Sequence, residues 1–377
     1  MEYSFPQELV ESILTKLPLR PLLRFKCLSK QWYLALSDSK KFITGQDFFL
    51  HYIDYHTPGL SRLRIPTSFD GSEGNTVEAV DVECPLAGTS NEEIICVAHC
   101  NGILCMLNHT YSQPEHYAST VIVWNPMTRE RKRFQLTDEG GGRGGWEAFG
   151  FSYDASIEDY KIIHVYYNVH SIDFQTVLDV YRCGSINVLR MKTGQWNIDR
   201  NNLLDDICDI SEKNRVGTAV NGCLYWIAMK GNGSVILCFE LERDTLREET
   251  SLGSCNLSTN ASLLGVWEDS LCLLCDFDCI HFDMWVMTEE SHGVTKTKSW
   301  VKLCKIPKVE AMCIHTEPVH PILTLNGQLL IESNRKGFFL FNPKDGLIKN
   351  IAIHGLQFPD AWFNVIPYVE SLVSLNA

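Results

Sequence analysis

The sequence predicts a mainly β protein in which a short N-terminal three-helix segment precedes a six-bladed β-propeller. Helical periodicity is confined to the first 45 residues. From about residue 48, short β-rich runs alternate with Gly, Asn, Asp and Pro, and turn-then-strand units recur along them. The predicted domains are therefore residues 1–45 and 46–377.

The first predicted helix lies in SFPQELVESILTKLP. Ser4 with Gln7 three residues later forms a capping pair, and Pro6 suits the first helical turn. Pro18 ends the helix. Its apolar stripe consists of Leu9, Val10, Ile13, Leu14 and Leu17.

Two further short helices are predicted, one opening at Pro21 and one capped by Ser29. Three helices within about 40 residues bury little surface, yet this segment has more large apolar side chains than its own core can cover. The surplus indicates a partner surface. Packing of the helices on the main domain is an open alternative. A DNA-reading helix-turn-helix is disfavoured, because the third helix offers only Lys30 and Gln31.

The charge is unevenly distributed along the chain. The net charge is −13, but residues 1–41 hold seven Lys/Arg against four Asp/Glu, whereas the rest holds 26 against 42. The acidic body repels phosphates, so no nucleic acid partner is expected, and an acidic protein suits the basic front. No membrane partner is expected either, because no run of residues is long and apolar enough to span a bilayer. Association with such an acidic protein would be accelerated by the basic side chains of Arg20, Arg24, Lys26 and Lys30.

Three turn-then-strand segments share an Asn-Gly pair: Asn101-Gly102, Asn221-Gly222 and Asn326-Gly327. Asn-Gly is the strongest two-residue hairpin signal, because both positions tolerate positive φ. A fourth copy, GVWEDSLCLLC, places Asp269-Ser270 at its turn.

Each copy continues into a second strand and another turn, with Asn125-Pro126 and Asn342-Pro343 as examples. A related unit surrounds Tyr153-Asp154 and Asp159-Tyr160. The spacing of about 45 to 60 residues is the size of a four-stranded blade. A sixth unit forms if the early strands DFFLHYI, SRLRI and AVDVEC are completed by the C-terminal FNVIPYVESLVSL. A β-sandwich pair or an irregular β domain is the alternative.

The front segment resembles the F-box of plant F-box proteins. The Leu17-Pro18 break, the run 24–27 (RFKC) and the Ser-Lys-x-Trp ending at Trp32 occur together at the expected spacing. Pro21 departs from the pattern, since a Ser, Asn or Asp often caps the second helix there. The resemblance implies docking on a Skp-type adaptor, and through it on a cullin ubiquitin ligase. The implied adaptor-binding residues are Pro6, Leu9, Val10, Ile13, Leu14, Leu17, Pro18, Leu22, Leu23, Cys27, Leu28 and Trp32.

The body is similar to the kelch-like F-box-associated domain of the same proteins, including the S-locus F-box-like group. The segments that carry this resemblance are Asn101-Gly102, Trp124-Asn125-Pro126, Gly150-Phe151 through Asp159-Tyr160-Lys161, Trp285-Val286-Met287 and the ending Tyr368-Val369-Glu370-Ser371-Leu372. The resemblance implies a receptor that captures a protein substrate for ubiquitination. It does not identify the target.

Two cysteine clusters have spacings that suggest zinc: Cys272, Cys275 and Cys279, and Cys96, Cys100 and Cys105 with His99. Both lie in predicted strands, where residues three apart point to opposite faces, so no metal or other cofactor is expected. The glycine-rich EGGGRGGW lacks the Lys-Ser/Thr of a phosphate loop. Its Arg143 and Trp146 are candidates for protein contact instead.

The twelve histidines form no nucleophile elbow, zincin pair or acid–base couple, so the chain is predicted to be non-catalytic. A propeller enzyme and a propeller scaffold are the rival hypotheses. Fifteen cysteines without an export signal or a membrane-spanning run predict reduced thiols and a cytoplasmic or nuclear protein.

Overall fold

The computed structural model describes Leu22, Leu204 and residues 44–53, 59–64, 76–82, 92–113, 116–136, 146–171, 180–200, 207–210, 214–231, 233–249, 262–277, 280–292, 295–307, 321–325, 328–333, 337–355 and 362–376. Leu22 is helical, and the rest of the predicted three-helix segment lies outside the described residues. Within these ranges, no helix has the length and hydrophobicity needed to cross a membrane.

The described residues form 25 strands. In chain order they are β1 (Thr44–Ile53), β2 (Gly59–Arg64), β3 (Thr76–Val82), β4 (Glu92–Cys100), β5 (Ile103–Gln113), β6 (His116–Trp124), β7 (Arg131–Gln135), β8 (Trp146–Asp154), β9 (Asp159–Ser171), β10 (Val180–Arg190), β11 (Gln195–Arg200), β12 (Ile207–Asp209), β13 (Thr218–Val220), β14 (Cys223–Lys230), β15 (Gly233–Glu240), β16 (Thr245–Glu249), β17 (Ser262–Trp267), β18 (Ser270–Phe277), β19 (His281–His292), β20 (Thr295–Pro307), β21 (Pro321–Leu325), β22 (Gln328–Ser333), β23 (Gly337–Phe341), β24 (Ile348–His354) and β25 (Trp362–Glu370).

The strands form six antiparallel blades. Blades 2, 3, 5 and 6 are β4–β7, β8–β11, β17–β20 and β21–β24, and in each the strands pair in chain order. Blade 4 comprises β12–β16, and its inner strand is divided between β12 and β13, which both pair with β14. The predicted mainly β propeller architecture is confirmed.

Blade 1 is built from both ends of the propeller sequence. Its strand order is β25-β1-β2-β3, so the C-terminal strand is the inner strand of a blade whose other three strands come first in the chain. Phe49 lies opposite Ile366, and Thr44 lies opposite Glu370. The prediction that the early strands are completed by the C-terminal segment is therefore confirmed.

The inner strands close a ring. In the order β25, β4, β8, β13, β17 and β21, each contacts the next, and β21 contacts β25. At the rim, β24 of blade 6 pairs in parallel with β3 of blade 1, and Ala352 lies opposite Thr76. This pairing covers two outer edges that would otherwise expose unpaired backbone groups.

The core lies between blades. Each of the five apolar clusters joins side chains of two neighbouring blades. On β14, Leu224 and Trp226 pack toward blade 3, whereas Tyr225 and Ile227 pack toward blade 5. Alternation along a strand therefore supplies two interfaces, which explains why both alternating positions are apolar.

Two predicted hairpin turns are confirmed. Asn101-Gly102 and Asn221-Gly222 adopt positive φ at both positions, with φ of 50° and 75° and of 48° and 75°. The fourth copy was predicted one residue too late. Its turn is Glu268-Asp269, with φ of 44° and 62°, and Ser270 already pairs with Trp267. Asp tolerates the left-handed region, so a Glu-Asp turn replaces the expected Asp-Ser turn. Asn326-Gly327 lies outside the described residues, although Leu325 and Gln328 pair on either side.

Candidate functional site

One side of the ring carries the turns 101–102, 125–130, 155–158 and 221–222 together with C-terminal residues 371–375, and we call it the clasp face. The turn after β4 and the turn after β6 both hold the C-terminal residues that follow β25. The clasp face is therefore the side on which the ring is fastened.

We call the contacts between these turns and residues 371–375 the clasp, and Asn125 is its central residue. Its side chain is fully buried, and its Nδ2 donates to the main-chain carbonyls of Ser371 at 3.2 Å and Val373 at 2.8 Å. Its Oδ1 accepts hydrogen bonds from the backbone N–H groups of Met127 and Thr128 at 2.9 and 3.3 Å. One amide thus shapes its own turn and satisfies two distant carbonyls.

Glu130 and Gly102 complete the clasp. A carboxylate oxygen of Glu130 accepts from the backbone N–H of Leu375 at 2.6 Å and from the Ser374 hydroxyl at 2.8 Å. At Gly102, with φ of 75°, an added Cβ would lie 2.4 Å from the Val369 carbonyl oxygen and 2.5 Å from Ser371 Cβ. Only glycine permits this approach of two backbones.

The chain enters the propeller on the same side. Thr44, the first residue of β1, lies opposite Glu370, the last residue of β25, and Ser371 of the clasp follows directly. Arg62 on the neighbouring strand forms an ion pair with Glu370. Whatever precedes Thr44 is therefore attached at the clasp face.

The clasp face also bears a cavity of about 450 Å³. Turns of blades 2, 3 and 4 line it, and its acidic side chains are Asp154, Glu240 and Glu242. Cys100 and Cys223 lie on its wall and are half-buried.

Beside this cavity, a buried lysine joins blades 3 and 4. Lys161 is 1% exposed, and its Nζ lies 2.8 Å from Asp154 and 2.6 Å from Asp244. It also donates to the Leu241 carbonyl at 2.5 Å. Burial raises the pKa of Asp154, but hydrogen bonds from Lys161 and Ser156 outweigh it and leave that pKa below its ordinary value. The Asp159-Tyr160-Lys161 segment therefore has a structural role.

A second buried polar cluster joins blades 2 and 3. Glu147 lies 3.2 Å from Nε2 of His164 and 3.4 Å from Nε2 of His109. Burial raises the pKa of Glu147, but hydrogen bonds from His109 and His164 dominate and leave that pKa well below the ordinary glutamate value. The two histidines hold the charged Glu147 carboxylate between blades 2 and 3.

Trp146, the described end of the predicted substrate-contact segment, begins on the other side of the ring. β8 runs from Trp146 to the turn 155–158 on the clasp face, so Trp146 begins at the opposite face, about 27 Å away along the strand. Arg143 and the side chain of Trp146 lie outside the described residues. Among the predicted adaptor-binding residues only Leu22 is described, and its side chain is fully buried.

Within the described residues, no three His, Cys, Asp or Glu side chains are arranged to hold a metal ion. Cys96 and Cys279 of the two spacing-based clusters are not among the described side chains. Buried Cys272 faces the interface with blade 6 and buried Cys275 the interface with blade 4.

Sequence reasoning found Asn125 as a turn residue but missed its partners. It also missed Glu130, Lys161 and the Glu147 cluster as contacts between elements. The recurrence of Asn-Pro at 125 and 342 indicates a shared turn but not the contact with the C-terminal residues, because among the described residues the Asn342 side chain binds its own turn, through Lys344 and Asp345.

The family comparisons match both parts of the chain. The F-box domain matches residues 3–44, and the F-box associated beta propeller domain matches residues 49–375. An oligogalacturonate lyase structure in complex with manganese aligns over 83% of this chain and 80% of its own, with 11% identity and a TM-score of 0.41, a likeness too weak to indicate an activity.

Two plant F-box proteins are similar to this chain in sequence. An F-box/kelch-repeat protein of Arabidopsis thaliana is 25% identical over 355 residues, covering 91% of this chain and 89% of that protein. A putative F-box protein of the same plant is 27% identical over 252 residues, covering 66% of this chain and 61% of that protein. With an N-terminal F-box match and a six-bladed ring that the second family spans almost entirely, the chain belongs to the family of F-box proteins with an F-box associated beta propeller domain.

Proposed function

We propose that this protein is the substrate-recognition subunit of a Skp-cullin-F-box (SCF) ubiquitin ligase. The observation that carries the proposal is the combination of an F-box match at residues 3–44 with a closed propeller behind it. An F-box implies binding to a Skp-type adaptor, and a propeller offers variable loops on a rigid frame for binding a second protein. We place the protein in the cytoplasm or the nucleus, where ubiquitin ligases of this class act.

The adaptor would be held by the apolar stripe of the first predicted helix, with Leu9, Ile13, Leu14 and Leu17 as its main contacts. The burial of Leu22 by other residues of this chain favours a packing role for that side chain. The basic front suits an acidic adaptor surface.

The propeller would capture the target at the face opposite the clasp. The F-box segment is attached at the clasp face, because β1 begins there beside Glu370. An adaptor bound to that segment therefore starts from the clasp side and leaves the opposite face open. Arg143 precedes Trp146 by three residues in the sequence, and β8 begins at Trp146 on this face, which supports both as target contacts.

In this account the chain contributes no catalytic group of its own. A receptor accelerates ubiquitin transfer by raising the effective concentration of target lysines near the charged ubiquitin carrier. The transfer of ubiquitin to the target lysine is then catalysed by other subunits of the assembled ligase.

The test is co-purification of the full chain with a Skp-type adaptor. Leu14→Asp combined with Leu17→Asp places two charges on the apolar stripe and should abolish the complex. The matched control is Val80→Asp with Leu347→Asp, two propeller side chains that are 60% and 58% exposed, and this variant should bind normally. Unchanged adaptor binding by the Leu14/Leu17 variant would refute the docking assignment.

The alternative is a propeller scaffold whose front helices pack in cis on the ring. The burial of Leu22 is compatible with it, because propeller residues could supply the cover. On that alternative the full chain does not bind a Skp-type adaptor. In addition, the Leu14/Leu17 double variant should then lower propeller stability, whereas the receptor account predicts unchanged propeller unfolding.

A further inference from the structure

Blade 4 holds two cysteines on adjacent strands. Cys223 is the first residue of β14 and pairs with Glu240, whereas Cys238 on β15 pairs with Tyr225. Cys223 and Cys238 are therefore diagonal neighbours on the same face of the sheet. Their side chains therefore lie next to each other on that face.

The two thiols differ in access to solvent. Cys223 is half-buried and lies on the wall of the clasp-face cavity, directly after the Asn221-Gly222 turn. Cys238 is fully buried in the interface with blade 5. A solute that enters the cavity therefore meets Cys223 first.

The surroundings favour a thiolate at Cys223. The Cys238 thiol on the neighbouring strand has the largest influence on the Cys223 pKa, and the Tyr225 hydroxyl adds to it. Lys298 and Arg247 supply positive charge, although both also contact Glu249, at 3.2 and 2.8 Å. Together they lower the pKa of Cys223 below that of an ordinary cysteine, against the opposing effect of burial.

The pKa of Cys238 is shifted in the opposite direction from that of Cys223. The neighbouring Cys223 sulfur, together with burial, raises the pKa of Cys238. Cys238 therefore keeps its proton next to the Cys223 sulfur. A reactive thiolate at a solvent-facing wall, with a protonated thiol against it, is the arrangement of a redox pair.

We propose that Cys223 and Cys238 are a peroxide-sensitive thiol pair, with Cys223 as the reacting thiol and Cys238 as the resolving thiol. The Cys223 thiolate attacks one oxygen of hydrogen peroxide, the O–O bond breaks, and Cys223 sulfenic acid and hydroxide form. The Cys238 sulfur then attacks the sulfenyl sulfur, and its proton leaves with the sulfenic oxygen as water. The two sulfurs lose two electrons in total, and peroxide is reduced to the level of water.

The product is a disulfide between β14 and β15. Diagonal partners on one sheet face have Cα atoms roughly 7–8 Å apart in a flat sheet, against about 4.4–6.8 Å in disulfides. Closure therefore draws the two strands together beside the Asn221-Gly222 turn. The bond would be reversible by thiol reductants, which reach it through the cavity wall at Cys223.

Two other described cysteines, Cys272 and Cys304, have raised pKa values instead of a lowered one. Burial raises the pKa of Cys272 to about 12. Burial, with the nearby Asp283 charge, also raises the pKa of Cys304, which is half-buried like Cys223. Cys304 lies by the Met284 thioether, at 4.0 Å between the sulfurs. Cys304 is therefore the matched control, because it is similarly accessible, its pKa is shifted in the opposite direction, and its sulfur neighbour among the described side chains is a thioether.

The experiment uses the full-length reduced protein. A brief pulse of iodoacetamide at pH 7, read by peptide mass spectrometry, should alkylate Cys223 at least about tenfold faster than Cys304. Treatment with one to a few equivalents of hydrogen peroxide should produce a Cys223–Cys238 linked peptide that dithiothreitol removes. Equal alkylation of Cys223 and Cys304, or no such linked peptide in folded protein, would overturn the proposal.

Two variants separate the roles. Cys238→Ser should leave a Cys223 sulfenic acid that dimedone traps, whereas Cys223→Ser should abolish both the cross-link and the dimedone adduct. Cys304→Ser should change neither. Labelling of Cys304 in place of Cys223 would contradict the assignment, and the wild-type peptide map decides the matter even if a variant fails to fold.

Discussion

The side-chain amide of Asn125 donates a hydrogen bond at 2.8 Å to the main-chain carbonyl of Val373, 248 residues later in the chain. Through this contact a turn of blade 2 holds the C-terminal residues whose strand completes blade 1. The ring is therefore fastened twice, by the pairing of β25 with β1 and by the clasp.

Asn125→Ala tests the clasp. It removes two hydrogen bonds to Ser371 and Val373 and leaves buried carbonyls unsatisfied, so the free energy of unfolding should fall by about 2–4 kcal/mol. Asn342→Ala is the control. Asn342 occupies the same kind of turn in blade 6, and the hydrogen bonds of its side chain to described residues stay within that turn, so its cost should be about 1 kcal/mol. Equal midpoints of chemical denaturation for the two variants would refute a closing role for Asn125.

Gly102→Ala tests the close approach of the C-terminal backbone. Gly102 and Gly222 have the same φ of 75°, so alanine at either position costs about 1–2 kcal/mol in backbone strain. A Cβ at Gly222 meets nothing within 4 Å, whereas one at Gly102 overlaps Val369 and Ser371. Gly102→Ala should therefore cost a further ~1–3 kcal/mol in denaturant unfolding. If the two variants unfold alike, the 369–371 segment does not press on this turn.

Lys161→Met tests the buried ion pair. Methionine keeps the volume but leaves Asp154 and Asp244 without their buried cation, so unfolding free energy should fall by about 3–5 kcal/mol. Arg190 also pairs with Asp244, but its side chain is 50% exposed, and Arg190→Met should cost about 0–1 kcal/mol. Thermal denaturation of both variants measures the difference, and a Lys161→Met protein as stable as wild type would show that the pair contributes nothing.

Glu147→Gln tests the pH dependence of the blade 2–blade 3 contact. The pKa of Glu147 is lowered in the folded state, so its ionised form contributes stability above the unfolded pKa of about 4.3, and this contribution is lost as pH falls toward the folded value. The variant should be less stable than wild type by about 2–3 kcal/mol near pH 7, and the gap should narrow below about pH 4.

Glu242→Gln is the control for Glu147, because Glu242 is exposed. Its unfolding midpoint should follow that of wild type at every pH. A gap between the Glu147 variant and wild type that stays constant from pH 7 to pH 3 would contradict the assigned ionisation.

The architecture was predictable from the sequence because its determinants are local. Asn-Gly pairs such as Asn101-Gly102 indicate hairpins, because both residues tolerate positive φ. Alternating apolar residues indicate strands. The Glu268-Asp269 turn was misplaced by one residue because Glu is a rare choice for the left-handed region, and the sequence offered Ser270 as an equally polar neighbour.

The contacts within the clasp and between blades were not predictable from the same patterns. The sequence around Asn125 does not indicate that its side-chain amide contacts Val373, because the two residues are brought together only when the ring closes. Lys161 reads as a surface residue, because lysine is almost never fully buried without a partner, and its partner Asp244 lies in the next blade. The diagonal placement of Cys223 and Cys238 depends on strand register, which composition does not reveal.

The central claim is that the front segment joins this propeller to a Skp-type adaptor. The most direct measurement is the dissociation constant of the purified full chain for that adaptor, determined by titration calorimetry with the Leu14/Leu17 and Val80/Leu347 double aspartate variants in parallel. The account predicts one-to-one binding that the first variant weakens at least about a hundredfold, a loss of about 2.7 kcal/mol, and the second leaves unchanged. Absence of binding by the wild-type chain, or equal affinity for all three proteins, would contradict it.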